Sequence, residues 1–525
     1  MQPDPTAASD LRQGPGLSSS GMTTRVVRGS LWSISGQAVV IATSLVSTPF
    51  VIRLLGAESY GVLALINVLI GYLAFADLGM GAASTRFGSQ AHARGDDEGE
   101  ASVVWTALAL SFFPSAMAAL TLAVSAPWLA EHALRLPDHL HPAAVSALRV
   151  AALGFVARAV SGVLNTPQLV RLRIDLYTLI NSGSAVVQVA LVPVVLALGG
   201  GLVGAVTVGA AVAASTLFVH LSVSRKLLQA LVRPRFDAKA MRSLLSFGGA
   251  LIVSALVAIA LMNAEKLFLT RFASVTSLAY YSVAFTVANL LLVLPAAMGQ
   301  SLLPAFTRLH EQGDREGLQR LYTRALRANL LWAVPLATVV CVLAKPFFTV
   351  WAGPEFGRES TVPLYILAAG ILFNVMAYIP CNLLLSMGRA NLVARIHVAE
   401  LAPYVLVAAL STYWFGAAGA ALAWSLRVIA DAALMFTEVN RKAGLSLSLY
   451  PNHRVSYAAS VLALLMPVLI VSWLSDSSAA RTGTALLSLV VYSAIVWSGV
   501  LEDDERAWLL GFVRFPARSL IGDSL

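Results

Sequence analysis

The chain contains 525 residues, of which 58% are apolar and only 12% are charged. Soluble globular proteins carry roughly 25% charged residues, so this composition excludes an ordinary soluble domain and indicates a polytopic membrane protein. The net charge of +9 is explained by Lys and Arg in loops at the membrane surface, and we therefore expect no nucleic-acid partner. Cys341 and Cys381 lie far apart in apolar runs, without other ligands at metal-binding spacing, and we interpret both as core residues.

Fourteen apolar runs are long enough to cross a membrane, because a spanning helix needs about 20 residues. Residues 1–24 are polar and rich in Gly, Ser and Pro, which predicts a disordered tail. The predicted fold is all-α, with helices near 31–52, 60–85, 102–126, 147–166, 177–198, 202–223, 244–270, 276–304, 328–350, 362–386, 395–415, 417–438, 455–474 and 483–500. Only short glycine turns divide each of the segments 177–223 and 395–438. The number of helices in each of these segments is therefore open to a miscount of one.

The distribution of Lys and Arg predicts the orientation. If the N-terminus is cytoplasmic, the cytoplasmic loops and tails hold 26 of the 36 Lys and Arg residues, and the external loops hold seven. Cytoplasmic loops are enriched in positive charge, so we expect both termini in the cytoplasm. The longest external loop, 127–146, has too little room for a catalytic domain. Because nucleotide-binding and zinc-protease motifs are also absent from the sequence, we expect no enzyme activity, no cofactor and no metal.

The sequence contains an internal repeat. The segment HARGDDEG at 92–99 recurs as HEQGDREG at 310–317, and the turn GLVG at 201–204 recurs as GAAG at 416–419. Six helices separate the copies, so both have the same orientation, which is typical of transporter lobes related by an axis along the membrane normal. The alternative is a duplication without a transport role. The predicted organisation is a cytoplasmic tail (1–24), two six-helix lobes (25–227 and 228–450), two added helices (451–500) and a cytoplasmic C-terminal segment (501–525).

Two segments resemble the polysaccharide (O-antigen, Wzx-like) flippase family of the multidrug, oligosaccharidyl-lipid and polysaccharide exporter superfamily. The first, at 54–90, contains Leu55-Gly56, Tyr60-Gly61, Asp77-Leu78-Gly79, Gly81 and Arg86. The second, NAEKLFLTRFASVTSLAYYSVAF at 263–285, is similar to the start of the second lobe in this family. There, Glu265 stands where an aspartate is more usual.

The resemblance implies a flippase that moves undecaprenyl-diphosphate-linked oligosaccharide across the bacterial inner membrane, from the cytoplasmic to the periplasmic leaflet, for surface polysaccharide biosynthesis. An expected coupling ion would be a proton or Na⁺, and the expected protein partners would be a polysaccharide polymerase or other assembly proteins. The main alternative is an ion-coupled multidrug or small-molecule antiporter of the related extrusion family, although helices 13 and 14 count against it. A polymerase or ligase and a passive scaffold are further alternatives.

Charged side chains within apolar helices are the candidate functional residues, because a charge in hydrocarbon costs several kcal/mol unless it faces a cavity or a partner. Arg158 lies about 13 Å from either end of helix 4 and is suited to bind a diphosphate through its planar guanidinium. The alternative is a structural partner on helix 2 or helix 5. Asp77, placed well inside helix 2, is a candidate for binding the coupling ion, and pairing with Arg158 is its alternative.

The second lobe offers further candidates. Glu265 and Lys266 are neighbours on helix 7 and diverge by about 100°, so Lys266 either faces the cavity or extends to the surface. Arg427 and Asp431, four residues apart on helix 12, are expected to pair with each other, while Arg427 also offers donors to a cavity. Glu400 is left out of the site because it is placed near a cytoplasmic helix end. Secondary cationic candidates at helix ends are Arg53, Arg86 and Arg271.

Overall fold

The structure is a computed structural model that describes residues 19–445, 454–474, 477–501 and 506. These ranges contain helices and connecting loops and no strand, which confirms the all-α prediction. The helices are α1 (Ser19–Leu73), α2 (Met80–Ala93), α3 (Asp97–Trp128), α4 (His141–Leu164), α5 (Thr166–Val170), α6 (Ile174–Ala197), α7 (Gly201–Leu227), α8 (Ala238–Phe272), α9 (Val275–Asn289), α10 (Val293–Glu311), α11 (Arg315–Trp351), α12 (Pro354–Glu359), α13 (Thr361–Ser386), α14 (Ala390–Ala443), α15 (Arg454–Leu474) and α16 (Ser478–Gly499).

Within the described ranges, ten helical segments are long and apolar enough to cross a membrane. The chain is therefore a multi-pass membrane protein, whereas the count of fourteen stays a prediction. Two of the longest helices are each divided by one glycine in the left-handed region, Gly56 in α1 (φ 76°) and Gly416 in α14 (φ 54°). Left-handed backbone is accessible to glycine without steric cost, so these residues allow the chain to change direction between consecutive helical segments.

The local structure of the repeated loops is the same in both copies. Asp96 caps α3 by accepting a hydrogen bond from the Gly99 amide (2.7 Å), and Asp314 caps α11 by accepting one from the Gly317 amide (2.8 Å). An aspartate at this position satisfies one of the otherwise unpaired amides of the first helical turn. The repeat seen in the sequence is thus a repeat of helix boundaries.

The second predicted helix, 60–85, is not continuous. It ends at Leu73, continues as a 3-10 turn over Ala74–Asp77, and restarts as α2 at Met80, with Leu78 (φ 56°) and Gly79 (φ 66°) in the left-handed region. The corresponding helix in the second copy has a 3-10 turn at Leu290–Leu292 between α9 and α10. Asp77 therefore lies at a helix break rather than well inside a helix, as we had expected from sequence.

One predicted boundary differs from the structure. Helix α1 begins at Ser19, so residues 19–24 are helical rather than part of a disordered tail, and residues 1–18 lie outside the described ranges.

The chain divides into two compact units, Met1–Ile259 (unit 1) and Ala260–Leu525 (unit 2), and the six-helix lobes with a boundary at 227/228 stay a prediction. Within unit 1, the segment after α7 is bound to α3: Trp105 Nε1 donates to the Leu231 carbonyl (3.1 Å) and Arg235 pairs with Glu98 (3.0 Å).

Unit 1 is packed through small residues at helix contacts. A Cβ atom added to Gly81 of α2 would lie 2.8 Å from the Gly162 carbonyl oxygen of α4, and one added to Gly154 of α4 would lie 3.0 Å from Ala210 of α7. Small residues allow the close backbone approach that helices in lipid use for packing. The apolar core beside these contacts includes Met80, Ala83, Ala101, Val104, Leu164, Leu231 and Leu244.

Unit 2 has its own core, formed mainly by α10, α11, α13 and α14. Buried side chains in it include Phe306, Tyr322, Leu383, Met435 and Val439. Helix α16 is joined to α11 by a hydrogen bond from the Tyr492 hydroxyl to the Leu331 carbonyl (2.9 Å). Each unit thus has an apolar core of its own.

Candidate functional site

Arg158 lines a cavity within unit 1 whose wall is mostly apolar. The cavity has a volume of about 100 Å³ and lies among α1, α4, α6 and α7, with Asn67, Gln188 and Gly209 also in its wall. Arg158 Nη2 donates a hydrogen bond to Gln188 Oε1 (3.1 Å). The sequence analysis allowed a structural partner for Arg158 on predicted helix 5 (177–198), which corresponds to α6. Gln188 of α6 is such a partner, but its side chain is a neutral amide. In the described part of the chain, no carboxylate forms an ion pair with Arg158, so its positive charge is not cancelled.

Asp77 does not pair with Arg158, contrary to one of the alternatives from sequence. It accepts a hydrogen bond from the Ser111 hydroxyl of α3 (2.5 Å) and another from the Gly81 amide of α2. The helix break at Leu78 and Gly79 exposes amides that have no intrahelical acceptor, and the carboxylate satisfies one of them. Asp77 therefore joins the broken helix to α3.

Glu265 is fully buried in unit 2 and accepts hydrogen bonds from two tyrosines. The Tyr281 hydroxyl of α9 lies 3.0 Å from Glu265 Oε1, and the Tyr404 hydroxyl of α14 lies 2.5 Å from Oε2. These bonds join α8, α9 and α14 at one carboxylate. A buried carboxylate with two hydroxyl donors is also a group that can accept a proton or a small cation.

Lys266 points away from Glu265, as their adjacent positions on the helix predict. Its Nζ donates to Asn263 Oδ1 (2.8 Å) and to the Met262 carbonyl (3.2 Å), and lies 4.4 Å from the centre of the Phe285 ring. A cation over an aromatic face is stabilised by the ring quadrupole. The ammonium group is thus held by local partners on α8 and α9.

Arg427 and Asp431 do not pair with each other, which corrects the expectation from their i, i+4 spacing. Arg427 Nη1 lies 3.8 Å from Glu400 Oε2, and Asp431 Oδ1 lies 3.6 Å from His397 Nε2. Both pairs join the two halves of α14, which run antiparallel on either side of Gly416. The side chains meet in the interface between the two halves of α14. This interface is buried, since Glu400 and Asp431 are only 6% and 8% exposed.

Glu400 and His397 are the residues that sequence reasoning missed. Glu400 had been placed near a helix end, where water would solvate it, but it is buried. The signal that predicts the contacts is the turn at Gly416: in an antiparallel hairpin, residues at similar distances before and after the turn are neighbours. Glu400 precedes Gly416 by 16 residues and Arg427 follows it by 11, while His397 precedes it by 19 and Asp431 follows it by 15.

The secondary cationic candidates are not brought together into one site. Arg53 is exposed on α1, and Arg271 is half-buried near the end of α8. Arg86 is exposed on α2, where its guanidinium carbon lies 4.6 Å from the centre of the Phe247 ring of α8. The Arg86 contact is within unit 1 and has a packing role there.

One group of side chains has the spacing of metal ligands. His92, Asp97 and Glu100 offer ligand atoms within 4.8 Å of one another. Arg171 already occupies this position: its Nη1 lies 2.6 Å from Glu100 and its Nη2 lies 3.7 Å from Asp97. A second cation would be repelled by the guanidinium, so we interpret the group as an ion-pair cluster that joins α3 to the loop after α5.

Ionisable groups in the interior of a membrane protein, together with duplicated helical units, are typical of transporters. The family described as polysaccharide biosynthesis protein matches residues 50–359, which is more than half of the chain. The chain therefore belongs to this family. The resemblance to polysaccharide flippases noted from the two sequence segments is confirmed.

Individual relatives agree with this assignment. A putative O-antigen transporter of Shigella flexneri is 24% identical over 417 residues, which cover 78% of this chain and 96% of the relative. Among solved structures, the lipid II flippase MurJ in an inward closed conformation matches with a TM-score of 0.68 and 11% identity, over 93% of this chain and all of that protein. An inward-facing multidrug resistance transporter of the MATE family matches with a TM-score of 0.65 and 15% identity, over 77% of this chain and 94% of that protein.

These three proteins are named as transporters or flippases and not as enzymes. The expectation that the chain is a membrane transport protein rather than an enzyme is therefore confirmed. The likeness to the two solved structures shows that the chain shares their fold.

Proposed function

We propose that the protein is a flippase that moves undecaprenyl-diphosphate-linked oligosaccharide from the cytoplasmic to the periplasmic leaflet of the bacterial inner membrane by alternating access, with both termini in the cytoplasm. The family match to polysaccharide biosynthesis proteins and the O-antigen transporter relative support the class of substrate. The fold shared with a lipid II flippase supports a lipid-linked cargo. A coupling ion and a polymerase or other assembly partner remain part of the proposal.

The observation that carries the proposal is the environment of Arg158. Its guanidinium lines a mostly apolar cavity, and within the described residues it donates a hydrogen bond to the neutral amide of Gln188. The charge is thus available for an anionic group, and the planar donor arrangement of arginine fits phosphate oxygens. With a volume of about 100 Å³, the cavity accommodates one small anionic group rather than a sugar chain, so the diphosphate is the part of the substrate that we assign to Arg158.

The other candidate cations of the interior have partners that reduce their availability. Arg427 lies beside the Glu400 carboxylate, and Lys266 is held by Asn263 and the Phe285 ring. We therefore propose Arg158 as the primary diphosphate residue and assign Arg427 and Lys266 supporting roles. Asp77, Glu265 and Asp431 are the proposed carboxylates for ion coupling.

A test of the proposal is the flipping of a diphosphate-linked oligosaccharide in proteoliposomes. We expect Arg158→Ala to reduce the initial rate at least tenfold, because a charge-assisted contact to phosphate is removed. Arg158→Lys should recover only part of the rate, because the ammonium lacks the planar fork. Arg149→Ala is the matched control: Arg149 lies on the same helix, outside the lining of this cavity, and donates to the Ala123 carbonyl (3.3 Å).

Equal flipping by the intact protein and both Arg158 variants would remove Arg158 from substrate binding. A second candidate function, ion-coupled antiport of small molecules, is favoured by the structural match to the MATE transporter. It would be supported if the intact protein moved cationic drugs against a proton or Na⁺ gradient but did not flip the lipid-linked glycan.

A further inference from the structure

A cluster of four ionisable side chains joins the two halves of α14 in unit 2. The first half provides His397 and Glu400, and the second half provides Arg427 and Asp431. The side chains of Glu400, Arg427 and Asp431 are at most 12% exposed, whereas that of His397 is 35% exposed. The cluster is thus buried except at its histidine end.

The two carboxyl groups of the cluster lie in the same buried interface. Glu400 is one helical turn from His397 and Asp431 is one turn from Arg427, so the pairs Arg427–Glu400 (3.8 Å) and His397–Asp431 (3.6 Å) bring both acids together across the hairpin. Within the described residues, three of their buried oxygens, Glu400 Oε1, Glu400 Oε2 and Asp431 Oδ1, have no hydrogen-bond donor. Ionised carboxylates can only accept hydrogen bonds. A bond between these two groups therefore requires a proton on one of them.

The charges around the pair also favour one proton. Arg427 is the single permanent cation of the cluster, at 3.8 Å from Glu400 Oε2, and it cannot neutralise two carboxylates. On α13, the Cys381 thiol is close enough to interact electrostatically with Asp431. Arg427 also lies 5.9 Å from the centre of the Tyr404 ring, and the hydroxyls of Tyr404 and Tyr281 bind a further acid, Glu265 of α8. Two adjacent carboxylates with one close cation in a medium of low polarity are more stable when they share a proton.

We propose that Glu400 and Asp431 form a proton-binding site that holds one dissociable proton between their carboxyl groups, with Arg427 as the counter-charge. His397 is the positioning residue through which the proton exchanges: neutral His397 Nε2 accepts the proton from Asp431 Oδ1, 3.6 Å away, and releases it to water at its exposed edge. Loss of the proton leaves both carboxylates ionised, and its return restores the hydrogen bond. The site exists independently of what the protein transports, and only its use for coupling rests on the proposed function.

Infrared difference spectroscopy on the purified full-length protein, titrated from acidic to alkaline pH, tests the site with the proton itself as the probe. We expect a protonated-carboxyl band that disappears on titration, and the loss of the same one-carboxyl amplitude in Glu400→Gln, in Asp431→Asn and in the double variant. The loss is not additive because the two groups share one proton. Glu438→Gln is the matched control, since Glu438 lies on the same helix and pairs with Arg441 (3.0 Å).

His397→Gln separates exchange from binding. It should leave the band in place but slow its response to a pH jump at least tenfold, whereas a residue with only a packing role would not change the rate. The proposal is overturned if both single variants retain the full band, or if the losses in the two single variants add up in the double variant. Displacement of the band by Na⁺ at constant pH would also overturn it, in favour of a sodium site. Because none of these readouts requires substrate, failure of glycan flipping and failure of the proton site are distinguishable.

Discussion

The hydroxyl of Tyr404 donates a hydrogen bond to the buried carboxylate of Glu265, which lies 139 residues earlier in the chain. Tyr281 donates to the other oxygen of the same carboxylate. One acidic side chain thus fixes the positions of three helices of unit 2, and the same residue is a candidate for ion coupling. A group with both roles gives clear predictions for substitution.

Replacement of Glu265 should lower the free energy of unfolding, and the loss should grow with the number of tyrosine hydroxyls left without an acceptor. Glu265→Ala leaves the Tyr281 and Tyr404 hydroxyls buried and unsatisfied, which costs about 1–3 kcal/mol for each group. Glu265→Gln keeps one carbonyl oxygen and should cost less. Thermal unfolding of the purified variants measures the difference. If Glu265→Ala unfolded at the temperature of the unmodified protein, the two hydrogen bonds would not contribute to stability.

Removal of the tyrosine hydroxyls provides the complementary measurement. Tyr404→Phe and Tyr281→Phe each remove one donor and should each lower stability by about 1 kcal/mol. In the Glu265→Ala background the same substitutions should have a much smaller effect, because the acceptor is already absent. Equal effects in both backgrounds would show that the hydroxyls act through other contacts.

The close approach of α2 and α4 predicts that replacing each of the two glycines at this contact by alanine has a different effect on stability. A Cβ atom at Gly81 would lie 2.8 Å from the Gly162 carbonyl oxygen, whereas nothing lies within 4 Å of a Cβ atom at Gly162. We expect Gly81→Ala to destabilise the protein by about 1–3 kcal/mol through overpacking. Gly162→Ala should be neutral or slightly stabilising because alanine favours helix. Thermal unfolding of the pair tests this, and the reverse order of stability would contradict the observed packing.

The two aspartate caps predict local changes that serve as controls for each other. Asp96→Ala should increase hydrogen exchange of the first-turn amides of α3, including Gly99, by about fivefold, since loss of such a cap costs about 1 kcal/mol. Asp314→Ala should do the same for Gly317 and the first turn of α11. Each variant should leave the other turn unchanged. Faster exchange in both turns from either single variant would indicate global destabilisation rather than the loss of one cap.

Much of the site chemistry depended on contacts that spacing alone does not predict. Helical spacing suggested that Arg427 pairs with Asp431, but each finds a partner across the hairpin instead, Glu400 and His397. Asp77 was predicted inside a helix, whereas it lies at a break and bonds Ser111. In both cases, the residues nearest in space come from other helical segments, which the residue type and its position within one segment do not identify.

The sequence by itself determined the class of protein, the apolar helices, the repeated capped loops and the family, because composition, hydrophobic run length and local cap motifs are properties of neighbouring residues. It also identified most of the charges buried in apolar helices. Only the tertiary structure decided which partner each charge has. Arg427 lies beside the Glu400 carboxylate, Asp77 accepts hydrogen bonds, and Arg158 has no carboxylate partner in the described part of the chain. The reason is physical, since the energy of a buried charge depends on the groups within a few ångströms of it, and helix packing brings those groups together from distant parts of the sequence.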